Sequence, residues 1–316
     1  MIPAHRPNHY LVEAVRSVLA SGYGSDVMQI EVLIDGPVDE HYLGALRELC
    51  GERVAVFLHH NTVGQARNLN SAIARAKGKF LHILHHDDLV LPGFYEAIEQ
   101  GFAANESIGA CFTRHAVIDE EGHWQELSHL EQRTAGIVSD WLPRLAVYCR
   151  LQTPSIAVRR NVYEALGGFR DDLVFALDWE MWVRIARHYN FWFDPRILAL
   201  YRVTGAGVSG SMRCSAEDMR DVAKAIGIMG DYLPEAIREH SQRAALDAHA
   251  GLAITMARKM YIQNNPTAAR NQLRAALEMS WSRNTLLSAA RVELGQLRRR
   301  INNLRRRNPE AIGDSV

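Results

Sequence analysis

Apolar positions alternate between two spacings from the start of the chain to residue 112. Helical spacing covers 11–20, 42–49, 68–76 and 94–103, and short apolar runs typical of buried strands cover 30–34, 54–58, 80–84 and 108–112. Helices that regularly alternate with strands are typical of parallel strands joined by crossover helices. The pattern therefore predicts an α/β fold with a mostly parallel, doubly wound sheet.

The pattern changes near residue 212. From there to the end it is helical and contains no run typical of a strand. Asn265 and Pro266 predict the start of one helix, because asparagine caps helices and proline is tolerated in their first turn. A set of apolar residues then follows heptad spacing: Leu287, Ala290, Leu294, Leu297, Ile301 and Leu304. This spacing predicts either a short coiled coil or packing on neighbouring helices. We therefore expect one domain at 1–211 and a helical extension at 212–316.

The composition describes a globular protein. Apolar residues make up 47% of the 316 residues and charged residues 23%. No apolar run approaches the length of about 18 residues that a transmembrane helix needs, and the first residues lack a signal-peptide pattern. The four cysteines are scattered without close pairs, so neither a disulfide framework nor a zinc site is indicated. We expect a cytoplasmic protein, and attachment to the periphery of a membrane stays open.

The net charge of zero hides an asymmetry. Residues 298–307 carry six arginines, which leaves 30 basic and 34 acidic residues in 1–297. The helical extension therefore ends in a basic C-terminal tail. Such a tail suits a membrane surface or an acidic protein partner, although a solvated helical face is the commoner explanation, and no nucleic-acid partner is expected.

The strand predicted at 80–84 stops at two adjacent acids, Asp87 and Asp88. Open α/β sheets bind ligands beyond the carboxyl ends of their strands, and carboxylate oxygens suit magnesium or manganese. These acids therefore indicate a metal or diphosphate site. Equally well, one of them caps the helix that begins near Pro92.

Several motifs together resemble the family 2 glycosyltransferases, which are inverting enzymes with the GT-A-type nucleotide-sugar-binding fold. The resemblance covers roughly 1–210 and is carried by the order and spacing of these segments: 2–6 (IPAHR), 34–36 (IDG), 70–73 (NSAI) before Gly78, the acids at 87 and 88, 166–170 (LGGFR), 177–184 (LDWEMWVR) and 198–202 (LALYR). It implies an α/β, GT-A-type domain at 1–211 that binds a nucleotide-diphosphate sugar.

The resemblance also implies contacts with the donor. Asp35 matches the carboxylate that accepts a hydrogen bond from the nucleotide base, although an acid before Gly36 is also an ordinary turn former. His5, which follows Pro3 and Ala4 at the start of the domain, matches a ring that stacks on the base. Arg67 is expected to reach the base or the diphosphate. All of these are candidate nucleotide-sugar-binding residues.

The acid motif itself departs from the family. The family pattern has an acid two positions before the metal-binding aspartate, where this chain has His85. By resemblance, Asp87 holds a magnesium or manganese ion that bridges the diphosphate, Asp88 is its acidic neighbour in the metal site, and His85 and His86 contact ribose or phosphate.

The second block of motifs implies the acceptor side. Asp178 matches the catalytic base that takes the proton of the acceptor hydroxyl, whereas a residue at this position also serves as a helix N-cap for 179–187. Trp179, Glu180 and Trp182 follow it as candidate acceptor-side residues, although buried tryptophans are more often part of the core.

Three functions are compatible with these residues. The first is an inverting, metal-dependent glycosyltransferase that moves a sugar from a nucleotide-diphosphate donor to a hydroxyl of a glycan or lipid-linked acceptor. The second is a non-catalytic sugar-nucleotide-binding or scaffolding protein of the same fold, which the histidine at 85 and the helical extension favour. The third is a histidine-aspartate metal phosphohydrolase, which ranks last because such sites belong to all-helical folds.

Overall fold

The computed structural model describes residues 1–204 and 208–307. The strands of these residues are β1 (Ile2–Ala4), β2 (Glu31–Ile34), β3 (Ala55–Leu58), β4 (Phe80–His82), β5 (Leu89–Val90), β6 (Ile108–Ile118), β7 (Trp124–Leu127), β8 (Gly136–Ile137), β9 (Ile156–Arg159) and β10 (Asn190–Arg202). The helices of the first part are α1 (His9–Leu19), α2 (Glu40–Cys50), α3 (Gln65–Arg75), α4 (Phe94–Ala104), α5 (Trp141–Val147), α6 (Arg160–Leu166) and α7 (Leu177–Ala186). They are followed by α8 (Val208–Ser215), α9 (Glu217–Tyr232), α10 (Glu235–Ile262), α11 (Pro266–Met279) and α12 (Arg283–Arg307).

Two sheets form the α/β part. Strands β1, β2 and β3 lie parallel in that order, as the alternating pattern predicts. The second sheet has the order β4-β9-β6-β10-β5 and is mixed: β6 and β10 are parallel, whereas β9 runs antiparallel to β4 and β6. A hydrogen bond from Leu84 N to Met1 O, 3.0 Å long, joins the start of β1 to the chain just after β4. The two sheets therefore meet at β1 and β4.

The helices on the first sheet begin where capping residues stand. The Asn8 side chain accepts the N–H of Tyr10 at the start of α1, and the Asp39 side chain accepts two N–H groups at the start of α2. Leu11, Val15 and Val18 then bury one face of α1 against the sheet. These local signals explain why the predicted elements of the first half agree with the structure to within a few residues.

The last part is helical throughout its described residues, as predicted. Asn265 caps α11 by accepting the N–H of Ala268, and Pro266 occupies the first turn. On α12, Thr285 and Ala289 are buried against the neighbouring helices, whereas the predicted heptad leucines Leu287, Leu294 and Leu297 are exposed. Residues 308–316 and the side chains of 300–307, with the predicted Ile301 and Leu304, lie outside the described residues.

One apolar core extends through both parts. Its members include Phe112 and Phe191 of the sheet, Trp179 of α7, Met229 of α9 and Ala253 of α10. The helical extension packs on the α/β part through this core, and the division between the two at residue 211 stays a prediction. None of the helices in residues 1–204 and 208–307 combines the length and apolar composition that a bilayer span requires.

Candidate active site

The acids after β4 occupy two different environments. Asp88 is fully buried, and its Oδ1 accepts the backbone N–H of Arg202 at 2.8 Å. Burial, and next the charge of Asp87, hold the pKa of Asp88 well above its usual range. Asp87 is only half-buried, and its carboxylate makes no hydrogen bond or ion pair with the described residues. Asp88 therefore holds the turn to β10 through Oδ1, whereas its Oδ2 is buried without a hydrogen-bond partner among the described residues. Metal binding by Asp87 and Asp88 stays a prediction.

Arg202 at the end of β10 holds this turn in place. Its Nε donates to Asp87 O at 2.9 Å, its Nη1 donates to Glu120 O at 3.0 Å, and its Nη2 pairs with Glu13 at 2.7 Å. The guanidinium also lies 4.3 Å from the centre of the Tyr10 ring. A single buried arginine therefore connects β10, the acid turn, the loop after β6 and α1.

Replacing this arginine is expected to destabilise the fold. Arg202→Met keeps an apolar stem but removes the donor to the partly buried carbonyl of Asp87 and the ion pair with Glu13, and the loss of such a partner costs roughly 1–3 kcal/mol. We expect urea unfolding to show a loss of about 3 kcal/mol. The control is Arg243→Met, since the Arg243 side chain is 78% exposed beside Glu239 and should cost less than about 1 kcal/mol. Equal stabilities of the two variants would contradict this role of Arg202.

His85 and His86, which directly precede Asp87, are neutral imidazoles. Burial lowers the pKa of both His85 and His86, while the charge of Asp87 opposes that shift. The Nδ1 of His85 lies 3.8 Å from Asp88 Oδ2, and its Nε2 is buried without a hydrogen-bond partner among the described residues. Electrostatic interaction with His5 also lowers the pKa of His86, which places the two imidazoles within reach of each other. His5, His86 and Asp87 therefore lie near one another.

Asp35 shapes the loop before α3. It is buried at the end of β2, and its two carboxylate oxygens accept the N–H groups of Val63 at 2.6 Å and Gly64 at 3.1 Å. His5 Nδ1 lies 3.2 Å from the backbone oxygen of Asp35. The same loop packs closely on Gly36, where φ is +96° and a Cβ would approach Thr62 Oγ1 to 2.3 Å. The loop thus already uses part of the hydrogen-bonding capacity of Asp35, and its contact with a nucleotide base stays a prediction.

The other predicted donor-side residues lie at the edges of this region. Pro3 and Ala4 are buried in β1, where Ala4 O accepts the N–H of Asp35 at 2.8 Å. Arg67 is exposed in the first turn of α3 and lies 3.7 Å from the exposed Asp171. The structure therefore brings Ala4, His5 and Asp35 together and places Arg67 at the rim.

Asp178 lies in the first turn of α7. The N-cap of this helix is Ala176, so the alternative role of Asp178 as the cap is wrong. Its Oδ1 accepts the N–H of Trp179 at 2.7 Å, and its Oδ2 accepts the hydroxyl of Thr153 at 3.4 Å. Burial raises its pKa to about 6, although these hydrogen bonds oppose the shift. A carboxylate with this pKa is ionised at neutral pH and still accepts a proton readily.

The structure connects Asp178 to the acid turn. Thr153, which contacts Asp178, precedes Pro154, whose carbonyl oxygen lies 3.0 Å from Nε2 of His82 at the end of β4. Tyr201 is sensitive to the charges of both regions. Burial raises the pKa of Tyr201 most, and the negative charges of Asp88 and Asp178 raise it further. Asp87, Asp88 and Asp178 therefore all lie within electrostatic reach of Tyr201.

The predicted acceptor-side residues are buried in the core around α7. Trp179 is buried, donates its ring N–H to Leu145 O at 2.7 Å and packs against His249 with the ring centres 4.9 Å apart. Trp182 is buried beside Phe169. Glu180 is buried too, where it pairs with Arg184 at 2.8 Å and accepts the hydroxyl of Tyr232. All three side chains thus hold α7 in the core, and their contact with an acceptor stays a prediction.

A second group of potential ligands lies in the turn between β6 and β7. Asp119, Glu121 and His123 offer ligand atoms within 4.8 Å of one another. The Asp119 carboxylate already accepts the N–H groups of Glu121 and His123, as expected of an acid that forms a turn. The group is largely exposed, and its hydrogen bonds are explained by the turn.

Comparison with a protein-family model matches residues 1–166 to "Glycosyl transferase family 2". An uncharacterised glycosyltransferase of Rickettsia prowazekii is 26% identical over 230 residues, which are 70% of this chain and 69% of the relative. One of Rickettsia typhi is 28% identical over 214 residues, which are 65% of this chain and 64% of the relative. The matches thus span about two thirds of each relative.

Solved structures share the fold at low sequence identity. The structure of S. aureus TarS 1–349 in complex with UDP-GlcNAc has a TM-score of 0.66 at 13% identity, covering 93% of this chain and 88% of that one. The mannosyltransferase PcManGT from Pyrobaculum calidifontis in complex with GDP-Man and Mn²⁺ has a TM-score of 0.54 at 16% identity, covering 89% and 87%. The α/β, GT-A-type fold expected from the sequence is confirmed. The acids at 87 and 88 follow strand β4 of an α/β fold, whereas histidine-aspartate phosphohydrolase sites belong to all-helical folds, so this alternative is excluded.

Proposed function

Because this chain belongs to glycosyltransferase family 2, we propose that it transfers a sugar, with inversion, from a nucleotide-diphosphate donor to a hydroxyl of a glycan or lipid-linked acceptor. The observation that carries the proposal is the contact of Asp178 with Thr153, whose neighbour Pro154 contacts His82 at the end of the strand that leads into Asp87. An inverting displacement needs a charge-stabilised leaving group and a base near the acceptor hydroxyl. These two carboxylates suit those two tasks.

The donor side is proposed to consist of β1, the end of β2 and the acid turn. Asp35 would accept a hydrogen bond from the base, with His5 beside it and Ala4 lining the same end of the sheet. His85 offers a buried, unpartnered Nε2, which suits a ribose hydroxyl or a phosphate oxygen. Proteins of the same fold have been crystallised with UDP-GlcNAc and with GDP-Man, which supports a nucleotide-diphosphate sugar as the donor class.

Asp87 is the residue proposed to hold a divalent cation. Magnesium and manganese commonly bind through one or two carboxylates together with substrate phosphates, and the uncommitted oxygens of Asp87 fit that donor set. The neighbouring imidazoles are neutral because burial lowers their pKa values, so they add no opposing charge. When bound, the cation would offset the negative charge that develops on the departing nucleotide diphosphate.

The proposed chemistry of the protein's own groups is a single proton transfer. As the acceptor oxygen forms a bond to the anomeric carbon, its proton passes to Asp178, and the bond from the anomeric carbon to the phosphate oxygen breaks. Thr153 and the N–H of Trp179 orient the carboxylate through the two contacts described above. The electron pair of the broken bond leaves with the nucleotide diphosphate, so the overall charge balances.

A panel of nucleotide diphosphates tests the proposal directly. We expect UDP or GDP to raise the thermal midpoint in the presence of Mn²⁺, because a ligand that binds only the folded state at 100 times its Kd stabilises it by about 2.7 kcal/mol. Removing the metal with EDTA should reduce the shift. The matching nucleosides, which lack the diphosphate, are the control. A protein whose thermal midpoint does not respond to any of the diphosphates with Mn²⁺ would contradict the assignment.

A further inference from the structure

The last helix presents an apolar surface that residues 1–204 and 208–307 leave exposed. We propose that the end of the helical extension docks on an anionic lipid bilayer through a membrane-facing stripe formed by Trp281, Leu287, Leu294 and Leu297, with Arg298 and Arg299 contacting lipid headgroups. This role is separate from the reaction, since none of these residues belongs to the region around Asp87 and Asp178.

The stripe is distinct from the face of α12 that packs on the protein. Thr285 and Ala289 are buried towards the neighbouring helices, whereas Leu287, Leu294 and Leu297 are 45%, 57% and 53% exposed. Leu287 and Leu294 are seven residues apart, and Leu297 follows three residues later, so helical geometry places them on one side of α12. An amphipathic helix with a second apolar face of this kind has an unmatched surface available for a partner.

Trp281 extends this surface and is held in solvent by its anchored neighbours. It is 77% exposed. Ser280 on one side donates to Asp247 of α10, and on the other side the Ser282 hydroxyl accepts the N–H of Thr285 at 3.3 Å and so caps α12. The exposed position of the indole ring therefore results from a fixed turn.

A groove continues the apolar surface from Trp281 between α11 and α12. Its volume is about 790 Å³, and its apolar lining includes Leu273, Leu277, Trp281, Leu286 and Ala290. Exposed tryptophan and leucine beside arginine form the combination with which interfacial helices enter the headgroup region of a bilayer. The surface thus offers apolar area for insertion next to positive charge.

The charge distribution favours an anionic membrane over a second copy of this chain. Residues 281–307 carry eight arginines and one glutamate. Parallel pairing of two copies would bring the arginine-rich ends together. Antiparallel pairing would place the arginine-rich end of one copy beside Arg283 and Arg291 of the other. Glu293 is the one acid in residues 281–307, and it already accepts the Tyr261 hydroxyl at 2.7 Å. Self-association is therefore opposed in either direction, whereas an anionic surface attracts every one of these arginines.

Vesicle co-sedimentation tests the proposal. We expect the full chain to bind vesicles of phosphatidylcholine with 30% phosphatidylglycerol at ~0.1 M salt, and to bind pure phosphatidylcholine at least about tenfold more weakly. Arg298→Gln with Arg299→Gln should weaken binding by about 30-fold, since each basic residue near the surface contributes about fivefold. The matched control replaces two exposed arginines of α10, Arg243→Gln with Arg258→Gln, and should bind like the unmodified protein.

The apolar part of the stripe has its own test. Leu294→Ser with Leu297→Ser should lower vesicle binding at least about tenfold, because the apolar face supplies the insertion. Val27→Ser, which changes a 66% exposed apolar residue of the α/β part, is the control. Donor hydrolysis in solution should be the same in all these variants, so failure of membrane binding is distinguishable from failure of the proposed reaction.

Two results would overturn the proposal. The first is a folded protein that hydrolyses donor normally and binds neither kind of vesicle. The second is a protein that binds no vesicles and is a dimer by light scattering, but becomes a monomer when it carries Leu294→Ser with Leu297→Ser. In that case the stripe would serve as a contact between two copies. A blue shift of tryptophan emission with anionic vesicles, lost in Trp281→Phe, supports the proposal.

Discussion

Asp178→Asn is expected to lower kcat about 10³-fold, because a positioned general base contributes roughly 10²–10⁴-fold to a transfer of this kind. Asparagine has the same shape, and its carbonyl oxygen still accepts the N–H of Trp179, which keeps the start of α7 in place. It cannot take the proton of an acceptor hydroxyl. Turnover measured at saturating donor, with the nucleotide-induced thermal shift measured in parallel, checks this expectation.

The control for that variant is Asp172→Asn. Asp172 lies six residues earlier and pairs with Arg170 at 2.9 Å and Lys224 at 3.0 Å on the surface. Its loss should leave kcat within about twofold, since exposed pairs contribute about 0–1 kcal/mol to stability and this one lies away from the acids. If Asp178→Asn retained a kcat close to that of the unmodified protein, Asp178 would not be the base.

The pH dependence provides an independent check on Asp178. Burial raises its pKa to about 6, and the base must be ionised, so kcat should fall about tenfold per pH unit below pH 6.

The ionisation of Asp178 also affects the stability of the fold, but here a rising pH is unfavourable. Because the pKa is higher in the folded state than the usual value of about 3.9, the folded state binds the proton more tightly, and ionisation costs stability as the pH rises from about 4 to 6. Asp178→Asn should therefore melt at a higher temperature than the unmodified protein at pH 7.

Asp87→Asn is expected to lower kcat/KM by about 10²-fold or more and to remove the dependence of the nucleotide-induced thermal shift on Mn²⁺. The reason is that a bound cation contributes several kcal/mol to the stabilisation of a developing negative charge, and a neutral amide holds a hard cation poorly. Unlike Asp88, Asp87 has no described side-chain partner in the fold. The loss should therefore appear in binding and turnover while the urea-unfolding midpoint stays nearly constant.

Asp119→Asn is the matched control for the metal site. Asp119 belongs to the exposed group with Glu121 and His123, and it serves the turn between β6 and β7. Its replacement should leave the Mn²⁺ dependence of the thermal shift intact. The reverse outcome, in which Asp119→Asn abolishes that dependence and Asp87→Asn does not, would place the cation at the turn and remove Asp87 from the proposed chemistry.

The sequence predicted the first half of the fold because its signals are local. Each strand there is a short apolar run and each helix has one apolar face, so spacing alone separates them. The acids at 87 and 88 stand out in the sequence for the same reason, since they closely follow a strand. The later strands were harder to predict: β9 and β10 pair with strands far away in the chain, and no local spacing specifies that β9 runs antiparallel to β6.

The roles of individual side chains depended on contacts between distant residues. Trp179 and Trp182 are three residues apart on α7, a spacing that fits two rings stacked on an acceptor sugar as well as two rings packed in a core. The structure shows that both rings are buried in the core. Arg202 was recognised only as part of a motif, because its partner Glu13 lies 189 residues earlier. Asp88 could not be distinguished from Asp87 by sequence, since only the fold brings the Arg202 backbone to one of them.

The contact between Trp179 and His249 has a consequence for how relatives of this protein vary. The family match ends at residue 166, before α7 begins, yet the indole ring next to Asp178 rests on a histidine of α10. A relative without an equivalent of α10 would leave this ring in water, and so should carry a smaller or more polar residue at that position. We therefore expect the tryptophan and the long helix to be inherited together across genomes, and lost together.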